Sequence, residues 1–182
     1  MDFLYVLIAI VVVIFIIIVW YISVSNKIVR ASIKVDESFS GIDVALAKRY
    51  DVLTKMVDVV KGYTKHEKEI LLKVVELRNN MSMQEKKDAN AAMDENFSKI
   101  NAVVENYPDL KASENFKILQ QSVVDVEEHL QAARRLYNSN VSLYNQMIIT
   151  FPNNIVAKNK GAIEKDFFEV DDIKREDVKI KL

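Results

Sequence analysis

The residues that invite chemistry in this chain stand in "HEKEI", His66 to Ile70. A histidine followed by glutamate opens the zinc-protease pattern, which needs a second histidine four residues on so that both imidazoles face one metal. That position is Ile70, and the only other histidine is His129. The spacing therefore supplies no metal site. Glu67 with Glu69, or Asp43 with Asp51, offer paired carboxylates, but acid–base catalysis needs an enclosed pocket that shifts their pKa. Among so many lysines, solvated salt-bridge partners are the simpler reading. Three scattered glycines cannot build a phosphate-binding loop. The absence of cysteine removes disulfides, thiolate zinc sites and cysteine nucleophiles. No catalytic, cofactor-binding or metal residue is assigned.

More informative is "YNSNVSLYN". Tyr137–Asn138 and Tyr144–Asn145 recur seven residues apart, so both pairs project from nearly one helix face. Two readings follow. The tyrosines are core positions with hydroxyls at the rim while the asparagines bond across the seam and set register, or the four form a polar ladder offered to a partner helix. Arg134 precedes the pair. Arg49, Tyr50 and Asp51 on an earlier segment are candidates for the same internal polar network. A second cluster is "YPDLKASENF", Tyr107 to Phe116. Pro108 disfavours helix in the residue before it, and Ser113 is a fair N-cap with Glu114 at the positive helix end. Leu110 and Phe116 are expected to plug the end of a bundle beside Tyr107. Asp109, Lys111 and Asn115 have no structural duty in this reading and are candidates for docking.

The elements that must position these residues are helices. Half of the 182 residues are hydrophobic, with three glycines and two prolines, too few turn residues for an all-β fold. Phe3 to Val24 contains no charge; as a helix its 22 residues span about 33 Å, against about 30 Å for a bilayer core. Tyr5 and Trp20–Tyr21 suit the two interfaces. Met1 and Asp2 provide no basic leader, which argues for an uncleaved anchor over a signal peptide. Lys27, Arg30 and Lys34 follow the span and no cation precedes it, so the N-terminus is expected outside and the main domain in the cytoplasm of a single-pass cell-membrane protein. Beyond Asp2 the chain carries 25 Lys+Arg and 26 − 1 = 25 Asp+Glu. That neutral balance gives nucleic acid no bulk attraction.

After the anchor, residues 1–26, one domain is expected over 27–170, with a charged tail at 171–182. The first soluble segment, about Lys27 to Asn80, reads Val35, Phe39, Ile42, Leu46, Tyr50, Leu53, Val57, Val60 as a helix face. "SFSGID" around Gly41 is the expected place for a kink or restart. Ser82 to Glu85 fits a capping box, opening a helix with the stripe Met93, Phe97, Ile100, Val104, Tyr107. The longest stripe runs Phe116, Leu119, Val123, Val126, Leu130, Ala133, Tyr137, Val141, Tyr144, Ile148, ended by Pro152. Ile163, Phe167 and Phe168 are expected to pin the returning C-terminal segment. Short connections between apolar-faced helices imply antiparallel packing. The expected fold class is all-α: an up-and-down bundle of three to four long helices after a transmembrane helix.

In this order and spacing, the span, "IDVALAKRYDVL", "VDVVKGYTKHE", "NYPDLKASENFKILQ", "VEEHLQAARRLYNSNVSLYNQMIITFPNNIVA" and "DFFE" resemble the LemA family of bacterial membrane-anchored helical proteins over nearly the whole chain. The family often has tryptophan where Phe39 stands, proline where Thr54 stands and asparagine where Glu128 stands. The resemblance implies a helical bundle on a single-pass anchor and supplies no reaction. The gene settings of its members resemble those of partners of membrane proteases and envelope-maintenance factors. The expected function is a non-enzymatic membrane-anchored interaction or scaffold protein; the alternative is a regulatory subunit of an integral-membrane enzyme such as an envelope protease. The expected partners are the bilayer through residues 3–24, a membrane or envelope protein, and a second copy of the chain.

Overall fold

The computed structural model describes residues 2–63 and 81–169, and among these the protein is all-α. The elements are α1 (Asp2–Tyr63), α2 (Met83–Val104), α3 (Pro108–Ala112), α4 (Glu114–Ile149) and α5 (Asn153–Asn159). Three of these are long, and residues 162–169 return without regular structure.

α1 runs for 62 residues without interruption. The break expected at Gly41 does not occur. A glycine costs a helix about 1 kcal/mol, and the buried row Ile42, Leu46, Leu53, Met56, Val60 on the same helix outweighs it; each such side chain contributes about 1.5–3 kcal/mol when buried. Thr54 sits in unbroken helix, its hydroxyl donating to the Tyr50 carbonyl at 2.9 Å.

α2 opens as its sequence requires. The Ser82 hydroxyl accepts from Glu85 N–H at 3.3 Å, and the Glu85 carboxylate accepts from Ser82 N–H at 2.7 Å. Its inward face is Met93, Phe97, Ile100 and Val104. The helix stops at Val104, short of Pro108. Pro108 then serves as the first residue of α3, where its missing N–H is no loss. Ser113 caps α4, accepting from Phe116 N–H at 3.3 Å and donating to the Leu110 carbonyl at 2.8 Å. Leu110 and Phe116 are completely buried, the plug expected of them. α5 ends at Asn159, and Gly161 just beyond it turns the chain with a φ of 65°, left-handed and favouring glycine.

The chain divides into two compact units. Unit 1 joins residues 1–38 to 136–167. Its core is Val24, Ile28 and Val35 of α1, Tyr137, Val141, Tyr144 and Ile148 of α4, and Val156 and Ala157 of α5. Unit 2 joins residues 39–135 to the segment from Phe168. Its core is the Ile42–Val60 row, the α2 stripe, Leu110, Phe116, Val126, Leu130 and Phe168. Only Phe168 of the three expected pins is buried; Ile163 is 76% and Phe167 40% exposed. Inside unit 1, Val156 and Ala157 of α5 are the buried apolar residues, and hydrogen bonds hold the return.

Candidate functional site

The main polar concentration lies inside unit 2, and it is built from helix positions that would ordinarily be apolar. Arg49 falls between Leu46 and Leu53 on the inward row of α1 and is 3% exposed. One guanidinium nitrogen donates to the Asn90 carbonyl at 3.3 Å and to Asn90 Oδ1 at 2.5 Å. The other reaches Asp94 of α2 and, at 2.9 Å, Glu127 of α4. The guanidinium also lies 5.3 Å from the centre of the Phe97 ring. One side chain thus ties three helices together by charge-assisted bonds in the fork geometry that only arginine supplies.

A second buried cation stands one turn before Asn90. Lys86 is 1% exposed, pairs with Asp43 at 2.6 Å and places its ammonium 3.3 Å from the centre of the Phe39 ring. Arg134 on α4 completes the group, 5.0 Å from the Phe168 ring. Burial, with Arg49 close by, holds the Arg134 guanidinium below its ordinary value against the pull of Glu127 and Asp94. Among the described residues, Nε of Arg49 and Nε of Arg134 make no hydrogen bond.

Chemically this is an ion cluster closed upon itself. Asp94 and Glu127 point their oxygens at Arg49, and Asp43 at Lys86, so these carboxylates are held by cations. The bonds run from α1 to α2 and α4.

The expected site residues separate cleanly. Asp43, Arg49 and Arg134 belong to the cluster. Tyr50 and Asp51 do not: Tyr50 is half-buried beside the inward row and Asp51 is exposed, because the 46–49–53 spacing turns Arg49 inward and its neighbours away. Tyr107 is half-buried at the head of α3, while Pro108 is exposed. Asp109, Lys111 and Asn115 are exposed side chains on the α3–α4 corner. His129 lies on the exposed face of α4, in an open groove with Asp125, Glu128 and Arg135. His66, Glu67 and Glu69 lie outside the described residues. Among the described residues, no three His, Cys, Asp or Glu side chains cluster as metal ligands.

The tyrosine–asparagine repeat acts within unit 1. Tyr137 and Tyr144 are core residues, 5% and 4% exposed. The Tyr137 hydroxyl donates to the Asp166 carbonyl at 2.9 Å. Asn145 grips the Lys165 backbone from both sides, donating to its carbonyl and accepting from its N–H, each at 2.9 Å. Asn145 therefore sets the register of the returning chain, where a bond across the helix seam was expected; the half-buried Asn138 stands beside Tyr137. Lys165 in turn pairs with Asp36 at 2.6 Å.

Burial, reinforced by Asp166 and Asp36, pushes the Tyr137 phenol above its ordinary value. A phenol whose folded pKa is raised contributes stability that is complete below the unfolded value, about 10, and lost as pH rises through the folded value. We expect Tyr137→Phe to cost about 1 kcal/mol at neutral pH. Above about pH 10 the gap between the parent protein and Tyr137→Phe should close, read by chemical denaturation across pH.

The sequence pattern of the LemA family matches residues 38–182. Protein LemA of Metamycoplasma hominis is 29% identical over 163 residues, 87% of this chain and 74% of that protein. Magnetosome protein MamQ 2 of Paramagnetospirillum magneticum is 30% identical over 73 residues, 40% of this chain and 27% of its own length. Magnetosome protein MamQ of Magnetospirillum gryphiswaldense is 26% identical over 72 residues, 40% of this chain and 26% of its own length.

Proposed function

This chain belongs to the LemA family, and from that premise we propose that it is a membrane-tethered, non-enzymatic interaction protein whose helical domain docks membrane or envelope proteins. The observation that carries this reading is the character of α1. Near its N-terminus α1 is long and apolar enough to cross a membrane, and from Phe3 to Val19 its large apolar side chains are at least half exposed. The same unbroken helix then supplies Arg49 to the ion cluster of unit 2. A side chain row that finds no protein cover is suited to lipid, and the same helix runs on into the domain. The cluster's carboxylates being held by cations favours a structural duty over turnover.

In this reading the tether lies in the cell membrane, with the N-terminus outside and the domain in the cytoplasm, on the strength of Lys27, Arg30 and Lys34. Protease added to intact cells should leave the domain whole and cleave it once the membrane is opened; digestion from outside would reverse the orientation. Resistance of the full chain to alkaline carbonate extraction tests the tether itself, and release into the supernatant would remove it.

The docking face we assign first is the α3–α4 corner. Asp109, Lys111 and Asn115 make no side-chain hydrogen bond or ion pair to another described residue, while Leu110, Ser113 and Phe116 maintain the corner. Changing the three to alanine together should abolish capture of the partner and move the melting temperature by no more than about 2 °C, as surface changes do. A loss of capture matched by a large loss of stability would reduce the corner to a structural joint.

A further inference from the structure

We propose that the corner between α4 and α5 is a second bilayer contact, a foot that rests in the interfacial zone of the leaflet from which α1 emerges. The proposal rests on the reading of Phe3–Val24 as a membrane span. It concerns unit 1 alone.

The position of the corner follows from the covering of α1. Asn140 of α4 donates to the Lys34 carbonyl at 3.3 Å, which sets α4 beside that point of α1. Nearer the N-terminus, Ile28 and Val24 are 3% and 5% exposed. They lie about 9 and 15 Å from Lys34 along the helix, at 1.5 Å per residue. Trp20, one turn further, is half-buried, whereas its neighbours Val19 and Tyr21 are exposed. The stripe 20, 24, 28 is therefore the side of α1 that the rest of unit 1 covers. The part of α4 before Asn140 that belongs to unit 1, residues 136–139, reaches only about 6 Å. The cover for Val24 and Trp20 must come from the other direction, from the end of α4 and from α5. Those elements accordingly bury Ile148, Val156 and Ala157. The corner thus sits beside the last turns of the span, at the level of its aromatic residues.

Its outer side is apolar. Ile149 is 58%, Phe151 75% and Ile155 52% exposed, three large side chains within seven residues. In water that exposure has no return; at a bilayer surface it is what an interfacial element presents. The charge around it matches a phosphate layer. Residues 149–161 contain Lys158 and Lys160 and no acid, and residues 24–35 contain Lys27, Arg30 and Lys34 and no acid. All five cations are exposed. An apolar tip with Lys158 and Lys160 in its own segment, and with Lys27 and Arg30 on the helix that leaves the span, fits an anionic lipid surface.

The chain contains no cysteine, so a single introduced cysteine gives one unambiguous label site. Four variants of the full chain, Val12→Cys, Asp125→Cys, Phe151→Cys and Ile155→Cys, are spin-labelled in vesicles of phosphatidylcholine with phosphatidylglycerol. Collision with oxygen and with a water-soluble nickel chelate then reports depth. The expected result is a deep label at 12, an aqueous label at 125, and labels at 151 and 155 about 5–10 Å into the headgroup–acyl boundary. Nickel accessibility at both should fall several-fold below that at 125. Two sites guard against a local effect of losing Phe151. A deep label at 12 with 151 and 155 as nickel-accessible as 125 overturns the foot while leaving the span intact. Exclusion of both oxygen and nickel at 151 and 155, or dipolar broadening between labels, means that protein or a second copy covers the corner and also overturns it. An aqueous label at 12 overturns the span reading and the foot together.

Discussion

Arg49→Ala should be among the most damaging single substitutions in unit 2. It removes a buried guanidinium bonded to Asn90, Asp94 and Glu127, and it leaves two carboxylates facing a hole in the core. Breaking a buried pair from one side costs about 3–5 kcal/mol. The carboxylates are about a third exposed, 30% and 35%, so water recovers part of that. About 3 kcal/mol remains, or a fall in melting temperature of roughly 6–12 °C for a protein of this size. Arg49→Lys keeps the charge but not the fork and should still lose about 1–2 kcal/mol. Double-mutant cycles with Asp94→Asn and Glu127→Gln should show coupling above about 0.5 kcal/mol for each pair. Additive effects would mean that the three side chains are neighbours without being a clamp.

The second large effect distinguishes the two ends of one ion pair. Asp43→Asn strips the anion from Lys86, whose ammonium is then buried at 1% exposure against the Phe39 ring without the carboxylate that pairs with it. The loss should be about 2–4 kcal/mol, because an uncompensated buried charge is costly. Lys86→Met keeps the packed stem, removes the charge and leaves Asp43, 47% exposed, to water. That change should be neutral or mildly stabilising, within about 1 kcal/mol. Thermal unfolding of both variants by circular dichroism reads the contrast. Equal losses from the two would contradict a pair in which the lysine bears the desolvation.

These two side chains also mark where the sequence stopped being legible. The capping box, the stop before Pro108, the Ser113 cap and the α4 stripe are local features, and each could be read because its partners lie within a few residues. Arg49 could not. The spacings 46–49–53 and 46–50–53 both fit a helix face, and Tyr50 is the more apolar choice. What turns Arg49 inward is Asn90 and Asp94 on α2 and Glu127 on α4, brought together only by the fold. Lys86 was hidden in the same way: it continues the α2 row 86, 89, 93, but a lysine there looks like the end of the apolar face. The return after α5 misled in the opposite sense. Ile163 and Phe167 looked like anchors, yet the segment is held by Asn145 against the Lys165 backbone, and a backbone partner leaves no mark on side-chain pattern. Gly41 looked like a break because its cost is visible in one residue, while the packing that overrides it is spread over many.

Cross-linking mass spectrometry of the full chain in its native membrane tests the claim of a tethered interaction protein most directly. The expected result is cross-links from lysines of the exposed helix faces, Lys111 among them, to membrane or envelope proteins or to further copies of the chain, lost when Asp109, Lys111 and Asn115 are replaced. Cross-links confined to this chain's own lysines, with none to another protein or copy, would contradict it.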